Sequence, residues 1–207
     1  MFITLEGPEG SGKTTQLPAL AEFLHQSGYD VLTTREPGGT PIGDKVRAIL
    51  LDKMNTDMHP RTEILLFQAS RSQHVEQVIK PHLEKGGVVL CDRYADSTLA
   101  YQGYGYGLDI EELSAIIEFA TGGLKPDLTL LLDIKIEAGL LRRNQEGDTN
   151  RLDAYDLDFH RRVRKGYHQL VGDEPARWAV INADQPPQGV QEEIRQVVTT
   201  HLKGFKP

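Results

Sequence analysis

The sequence predicts a three-layer α/β fold built on a parallel sheet, and two observations carry that expectation. Short runs rich in leucine and β-branched residues recur at 2–5, 31–34, 88–91, 128–132 and 179–182. Several are continuously apolar rather than alternating, as strands covered on both faces must be. Longer amphipathic stretches fill the gaps, near 13–27, 42–51, 62–80, 109–121, 135–146, 155–172 and 189–203, so strand and helix alternate and the connections should be right-handed crossovers.

Taken in order, each element is bounded by a turn signal. Phe2-Ile3-Thr4-Leu5 runs into the glycine-rich stretch GPEGSGKTT, Gly7 to Thr15, and then into the first helical pattern, which stops at Ser27-Gly28. The second run ends before Pro37-Gly38-Gly39, the third is introduced by Gly86-Gly87, and the fourth follows Gly122-Gly123. Gln185-Pro186-Pro187 separates the fifth run from the last helical pattern. There is no internal repeat and no low-complexity tract.

Bulk composition narrows the function classes. A chain of 207 residues can bury one sizeable core and is short for two ordinary domains, so one domain over 1–207 is expected. The hydrophobic and charged fractions, 39% and 26%, are those of a globular protein, and no apolar run approaches the roughly 20 residues of a membrane span, so no membrane partner is expected. A formal charge of −7 argues against a general nucleic-acid surface. The start of the chain lacks the basic, apolar and small-residue sequence of a secretory leader, and Cys91 is the only cysteine; both lead to a cytoplasmic expectation. Seven histidines include no HxxxH pair, and a histidine metal site is not expected.

The stretch Gly7-Pro8-Glu9-Gly10-Ser11-Gly12-Lys13-Thr14 fits GxxxxGK[ST], between a strand and a helix. Glycines let consecutive backbone N–H groups converge on phosphate oxygens, the helix N-terminus adds partial positive charge, Lys13 reaches the β/γ-phosphates and the Thr14 hydroxyl can ligate Mg²⁺. A glycine-rich turn that binds nothing is the alternative, and the strand, loop and helix context argues against it. Asp92 closes the third strand in Cys91-Asp92-Arg93-Tyr94, where a parallel sheet binds ligands, and could hold the Mg²⁺ shell; a helix cap or plain ion pair is the other reading. Arg93 beside it offers a planar guanidinium suited to bidentate phosphate contact.

A second ligand site is suggested by Thr34-Arg35-Glu36-Pro37-Gly38-Gly39, Arg47 on the following helix, and Phe67 with Arg71 spaced i, i+4. An aromatic face beside a guanidinium suits a nucleobase, although alone Phe67 could be core and Arg71 a surface charge. Thr98, Tyr101 and Gln102 share one face of DSTLAYQG, and alone would be ordinary helix residues.

Together EGPEGSGKTT, TREPGG, FQASR, DRYADSTLAYQG and NRLD, in this order, resemble the bacterial thymidylate kinases, which transfer phosphate from ATP to dTMP. DRYADSTLAYQG is the most specific part. The resemblance spans residue 2 to about 184 and implies a P-loop kinase fold with a five-stranded parallel sheet flanked by helices, a short mobile lid near 142–153, a homodimer, Mg²⁺ with ATP as donor, and a place in dTTP biosynthesis. It implies that Gly7, Pro8, Glu9, Gly10, Ser11, Gly12, Lys13, Thr14 and Thr15 bind ATP, with Arg142 and Arg143 near the adenine or phosphates. Thr14 and Asp92 would serve the metal.

For the acceptor, it implies Phe67 stacked on thymine, Arg71, Thr98 and Gln102 at the base edge, and Pro37 near the methyl group. Glu36, Arg47 and Arg93 would serve the 5′-phosphate, directly or through Mg²⁺ and water. Tyr101 would crowd a ribose 2′-hydroxyl. Some members carry an arginine inside the phosphate loop and others use basic lid residues. Gly10 occupies that loop position here, so Arg151 in NRLD is the expected catalytic lid arginine, beside Lys13, Arg93 and Glu9. Glu9 could meet the dTMP 3′-hydroxyl, a lid arginine or the outer Mg²⁺ shell. Two other functions remain open at this point: a kinase for another nucleoside monophosphate, and a P-loop switch that binds nucleotide without turnover.

Overall fold

The computed structural model of the chain describes residues 1–147 and 151–203. Five parallel strands, β1 (Phe2–Glu6), β2 (Val31–Arg35), β3 (Val88–Asp92), β4 (Leu128–Asp133) and β5 (Trp178–Asn182), form one sheet in the order β2-β3-β1-β4-β5. The continuous apolar runs are the central strands: every residue of β1 is buried, and in β4 only the terminal Asp133 is partly exposed. Edge strand β2 is buried only at Val31, its other four residues alternating between partly buried and exposed.

Helices α1 (Lys13–Gln26) and α9 (Pro187–Leu202) cover one face with Leu17, Leu20, Leu24, Ile194 and Val198. The other face receives two smaller cores, one around Phe2, Val75, Ile79, Val89 and Tyr94, the other around Tyr101, Leu131, Phe159, Tyr167 and Trp178. The three layers expected from the alternation are thus present. Local chemistry sets the ends: Thr40 caps α2 (Pro41–Leu51), Asp109 caps α6 (Ile110–Thr121), and Gly122 at φ 58° stops it.

The helix expected near 62–80 begins earlier, as α3 (Pro60–His74), and continues through a π turn over Val75–Ile79 into α4 (Lys80–Glu84). A second departure is larger. The segment after β3, whose Thr98, Tyr101 and Gln102 the sequence places on one face of a helix, forms α5 (Ala95–Thr98) and then a π-helical stretch Leu99–Gly105 in place of a regular α-helix. Such insertions cluster at functional sites, since the extra residue re-aims the side chains around it. Helices α7 (Ile136–Glu146) and α8 (Leu157–Asp173) flank a 3₁₀ turn at Arg151–Ala154. Of the expected lid, 148–150 lie outside the described residues. Among the described residues no helix is long and apolar enough to cross a membrane.

Candidate active site

Strands β1, β3 and β4 end at one edge, and the loop from Gly7 to Gly12 springs from it. Gly7, Gly10 and Gly12 have φ of 142°, 67° and 90°, left-handed values that a side chain would strain. Helix α1 starts at Lys13 with Gly12 as its N-cap and no side-chain cap, so its first N–H groups are left for a ligand. Lys13 Nζ donates to Gly7 O at 3.0 Å, Pro8 O at 2.9 Å and Ser11 Oγ at 3.1 Å, folding the loop around the ammonium. Burial and the Arg93 guanidinium push Lys13 down to about 8, while Glu9, Asp92 and Glu6 pull the other way.

Gly10 meets α7 directly. A Cβ on Gly10 would lie 2.0 Å from Gly139 O, and one on Gly139 would lie 2.3 Å from Glu9 O. Two glycines therefore let the phosphate loop and α7 touch backbone to backbone. An arginine at position 10 has no room in this arrangement.

The loop opens on a cavity of about 510 Å³. From the loop, Glu9, Gly10, Ser11, Gly12, Lys13, Thr14 and Thr15 line it, whereas Gly7 and Pro8 lie behind and serve Lys13 with their carbonyls. Every residue expected at the acceptor also lines it: Glu36, Pro37, Arg47, Phe67, Arg71, Arg93, Thr98, Tyr101 and Gln102. One cavity thus joins the phosphate loop to the aromatic and guanidinium wall.

Thr14 and Asp92 meet at its floor. Thr14 Oγ1 lies 3.5 Å from Asp92 Oδ2, and the buried Asp92 Oδ1 has no hydrogen-bond partner among the described residues. A buried carboxylate oxygen without a donor is costly, and hydroxyl, carboxylate and nearby phosphate sites are the all-oxygen set that a hydrated Mg²⁺ takes. The residues fit the expected metal.

Arg93 sits between the two halves of the cavity. It is the only non-glycine residue with positive φ among those described, at 65°, a strain that aims its side chain across the sheet edge. Its Nη2 donates to Glu9 Oε1 at 2.7 Å and Tyr101 OH at 3.1 Å; its Nη1 donates to Gly7 O, Ser97 Oγ and Tyr167 OH at 3.2–3.3 Å. Tyr101 OH donates to the same Glu9 oxygen at 2.8 Å. Burial acts to raise the pKa of Glu9, but Arg93, Lys13, Tyr101 and Arg143 hold it down to about 2. The acid in the phosphate loop is thus an anion facing the acceptor half.

Glu6, one residue before the loop, was not singled out in the sequence although it is the one charge in a buried strand. Its Oε1 accepts from Tyr94 N at 2.7 Å, and its Oε2 accepts from Ser97 Oγ at 2.6 Å and Tyr167 OH at 2.9 Å. Those two hydroxyls are the ones that receive Arg93 Nη1, so Glu6 supports the guanidinium from behind. Burial and the neighbouring Asp96 push it up to about 7, against Arg93 and its hydrogen-bond donors.

On the acceptor wall, Arg71 is nearly inaccessible and spends most of its fork on protein. Its Nε donates to Glu36 Oε2 at 2.7 Å, Nη1 to Gln68 Oε1 at 2.7 Å and Thr98 Oγ1 at 3.0 Å, and Nη2 to Tyr94 O at 3.0 Å. Glu36 Oε1 lies 3.0 Å from His74 Nδ1, whose Nε2 lies 2.6 Å from Thr34 Oγ1. Both oxygens of Glu36 are therefore engaged away from the cavity centre, and its visible work is to fix Arg71. Arg47 Nη1 donates to Pro37 O at 2.9 Å. Gln102 Nε2 donates to Glu63 Oε1 at 2.8 Å.

The lid arginines separate. Arg143 lines the cavity beside the loop. Arg142 Nη1 donates to Ala183 O at 3.0 Å, joining α7 to the loop after β5. Arg151, expected at the transferred phosphate, does not line the cavity. Its Nη2 pairs closely with Glu63 Oε2, its Nε donates to Leu50 O at 3.0 Å and its Nη1 to Tyr155 OH at 3.3 Å, outside the cavity lining. The reason is electrostatic: Glu63 is 1% exposed, and a carboxylate so buried draws in a cation.

Comparisons with known proteins bear on the chain as a whole. The family model described as thymidylate kinase matches residues 5–194. A thymidylate kinase of Thermomicrobium roseum is 52% identical over 203 residues, covering 98% of this chain and 96% of the relative. One of Roseiflexus sp. strain RS-1 is 50% identical over 214 residues, covering 98% and 95%. The crystal structure of thymidylate kinase from Ehrlichia chaffeensis superposes with a TM-score of 0.79 at 34% identity, over 96% of this chain and 98% of that one.

Proposed function

The chain belongs to the thymidylate kinase family and phosphorylates dTMP to dTDP on the route to dTTP; from that premise we propose that MgATP is the donor and that the single cavity seats both nucleotides end to end. The observation that carries this reading is the shared lining, from Gly10–Thr15 at one end to Phe67 and Gln102 at the other. The whole of 1–207 acts as one domain.

The triphosphate lies against the N–H groups of the loop and the start of α1, with Lys13 exchanging its hydroxyl and carbonyl contacts for phosphate oxygens. Thr14 and Asp92 hold the Mg²⁺, which neutralises phosphate charge when bound. Arg143, on the cavity wall, is the lid arginine best situated for the transferring group, while Arg142 belongs to the adenine end and Arg151 does not serve the phosphate in this arrangement. The alignment of two polyanions is the main task of the protein here, because phosphoryl transfer needs positioning and charge neutralisation more than covalent chemistry.

At the acceptor end Phe67 stacks on thymine, Arg71 and Gln102 meet its polar edge with Thr98, and Pro37 borders the methyl group. Glu36 contributes by holding Arg71. Arg47 and Arg93 take the 5′-phosphate, whose oxygen is itself the nucleophile, so no strong base is required. Tyr101, locked to Glu9 and Arg93, fills the space of a 2′-hydroxyl. Glu9 stays ionised and orients Arg93. Closure of α7 over the loop excludes water; the contact between Gly10 and Gly139 supports this.

Substituting Phe67 with alanine tests the acceptor end. Stacking contributes about 1–3 kcal/mol per base, so KM for dTMP should rise roughly 5–160-fold while KM for ATP barely moves. Equal effects on both would put the base elsewhere.

A homodimer fits two neighbouring helices that leave large apolar side chains uncovered: Leu65 on α3, and Ile116 and Phe119 on α6, the last 89% exposed. Sedimentation velocity should read twice the 23.1 kDa chain mass, and Phe119→Asp should shift it toward the monomer. A monomeric parent protein would refute this. The buried, unpaired Cys91 suits a cytoplasmic setting.

A further inference from the structure

Glu63 lies on α3 behind the acceptor wall, outside the cavity lining, and is 1% exposed. Its Oε1 accepts from Gln102 Nε2 at 2.8 Å and from Tyr106 OH at 3.0 Å, and its Oε2 faces Arg151 Nη2, which supplies the counter-charge. Tyr106 OH in turn meets Tyr155 OH. Gln102 is 2% exposed and does line the cavity.

An amide side chain can present either of two ends, and the two look alike in shape but opposite in hydrogen bonding. Here the choice is forced. A carboxylate only accepts, so the Gln102 NH₂ must face Glu63 and the carbonyl oxygen is the end left for the cavity. Reversal would set Gln102 Oε1 against Glu63 Oε1, two acceptors in a buried site, which is expensive.

That orientation selects a class of base. A thymine or uracil ring carries an N3–H donor, which a carbonyl oxygen accepts. A cytosine ring carries an unprotonated N3, which would need a donor and would meet a second acceptor instead. We propose that Glu63 is a positioning residue for specificity: by pinning the Gln102 amide, it makes the site accept pyrimidines with N3–H and reject cytosine. The inference rests on the reading of Gln102 as a contact to the base edge.

Glu63→Gln tests it, because a neutral amide of the same size can accept or donate and lets Gln102 turn either way. The ratio of kcat/KM for dTMP to that for dCMP should fall about tenfold or more, since a site built around a buried hydrogen bond owes much of its discrimination to that bond. A general loss of packing would lower both acceptors together and leave the ratio unmoved. An unchanged ratio in Glu63→Gln overturns the proposal. In a Gln102→Ala background the same substitution should leave the ratio alone.

The two levels fail separately. If Gln102→Ala by itself does not lower the ratio, the reading of Gln102 at the base is wrong; if it does and Glu63→Gln does not, only the role of Glu63 falls. A measurement on the unaltered protein covers the case of a variant that does not fold. The side-chain ¹⁵NH₂ signal of Gln102, assigned by its loss in Gln102→Ala, should show strong protection from solvent exchange before any ligand is added. Exchange as fast as that of a surface glutamine would show that the amide is not pinned.

Discussion

Replacing Lys13 with alanine lowers kcat for dTMP phosphorylation by roughly 10²–10³-fold, the usual cost of deleting one preorganised charge at a transition state. Two effects combine. On the proposed reading the ammonium meets the β- and γ-phosphates, and its three donor bonds to Gly7, Pro8 and Ser11 hold the loop in its curved form. KM for dTMP should change less, because the hydrogen bonds of Lys13 go to the phosphate loop at Gly7, Pro8 and Ser11, whereas KM for ATP should rise. The unligated ammonium titrates at about 8, with burial as the leading cause. Below that pH it is cationic and above it neutral, so kcat/KM for ATP should fall as pH rises through about 8, and Lys13→Ala should lack that limb. An unchanged rate would refute its assignment to the phosphates.

Arg93→Lys reduces kcat/KM for dTMP by about 10²-fold or more, from losing a planar fork to a point charge. In the parent protein one guanidinium joins Glu9, Tyr101, Ser97, Tyr167 and the Gly7 carbonyl. An ammonium has three donors and cannot span both sides of the cavity. Glu9, ionised at any working pH, would then be poorly compensated, so KM for dTMP should rise together with the fall in kcat. A variant with wild-type constants for both substrates would mean that Arg93 serves only as the counter-ion of Glu9.

The fold was legible because its signals are local. Buried parallel strands must be apolar throughout, and 2–5, 88–91 and 128–132 show it; Asp109 and Gly122-Gly123 announce the two ends of α6. The segment 95–105 was legible as a helical face through Thr98, Tyr101 and Gln102, but not as a π-helical stretch, which has no sequence period of its own to detect. The phosphate loop was legible for the same local reason, in that its spacing is its geometry. Gly10 was noticed as a missing arginine, but its cause lies 129 positions away, at Gly139.

What the sequence hid are residues that act through others. Glu6 reaches Tyr167, and Glu63 reaches Gln102 and Arg151, only after folding. Arg151 was expected at the lid because NRLD resembles the family's lid arginine motif and Gly10 leaves the loop without one; the buried Glu63 that pairs with it has no signature in NRLD. Phe67 and Arg71 were ambiguous singly; the resemblance assigned them to the base, and the structure brings both to one cavity lining with Gln102.

The central claim is that one cavity takes phosphate from ATP and faces dTMP across the gap. The most direct measurement is ADP formation with dTMP, dUMP, dCMP, AMP and thymidine supplied separately as acceptors. The account predicts fastest turnover with dTMP, slower turnover with dUMP, and little with dCMP, AMP or thymidine. ADP formed at the same rate without any acceptor, or fastest with AMP, would contradict it.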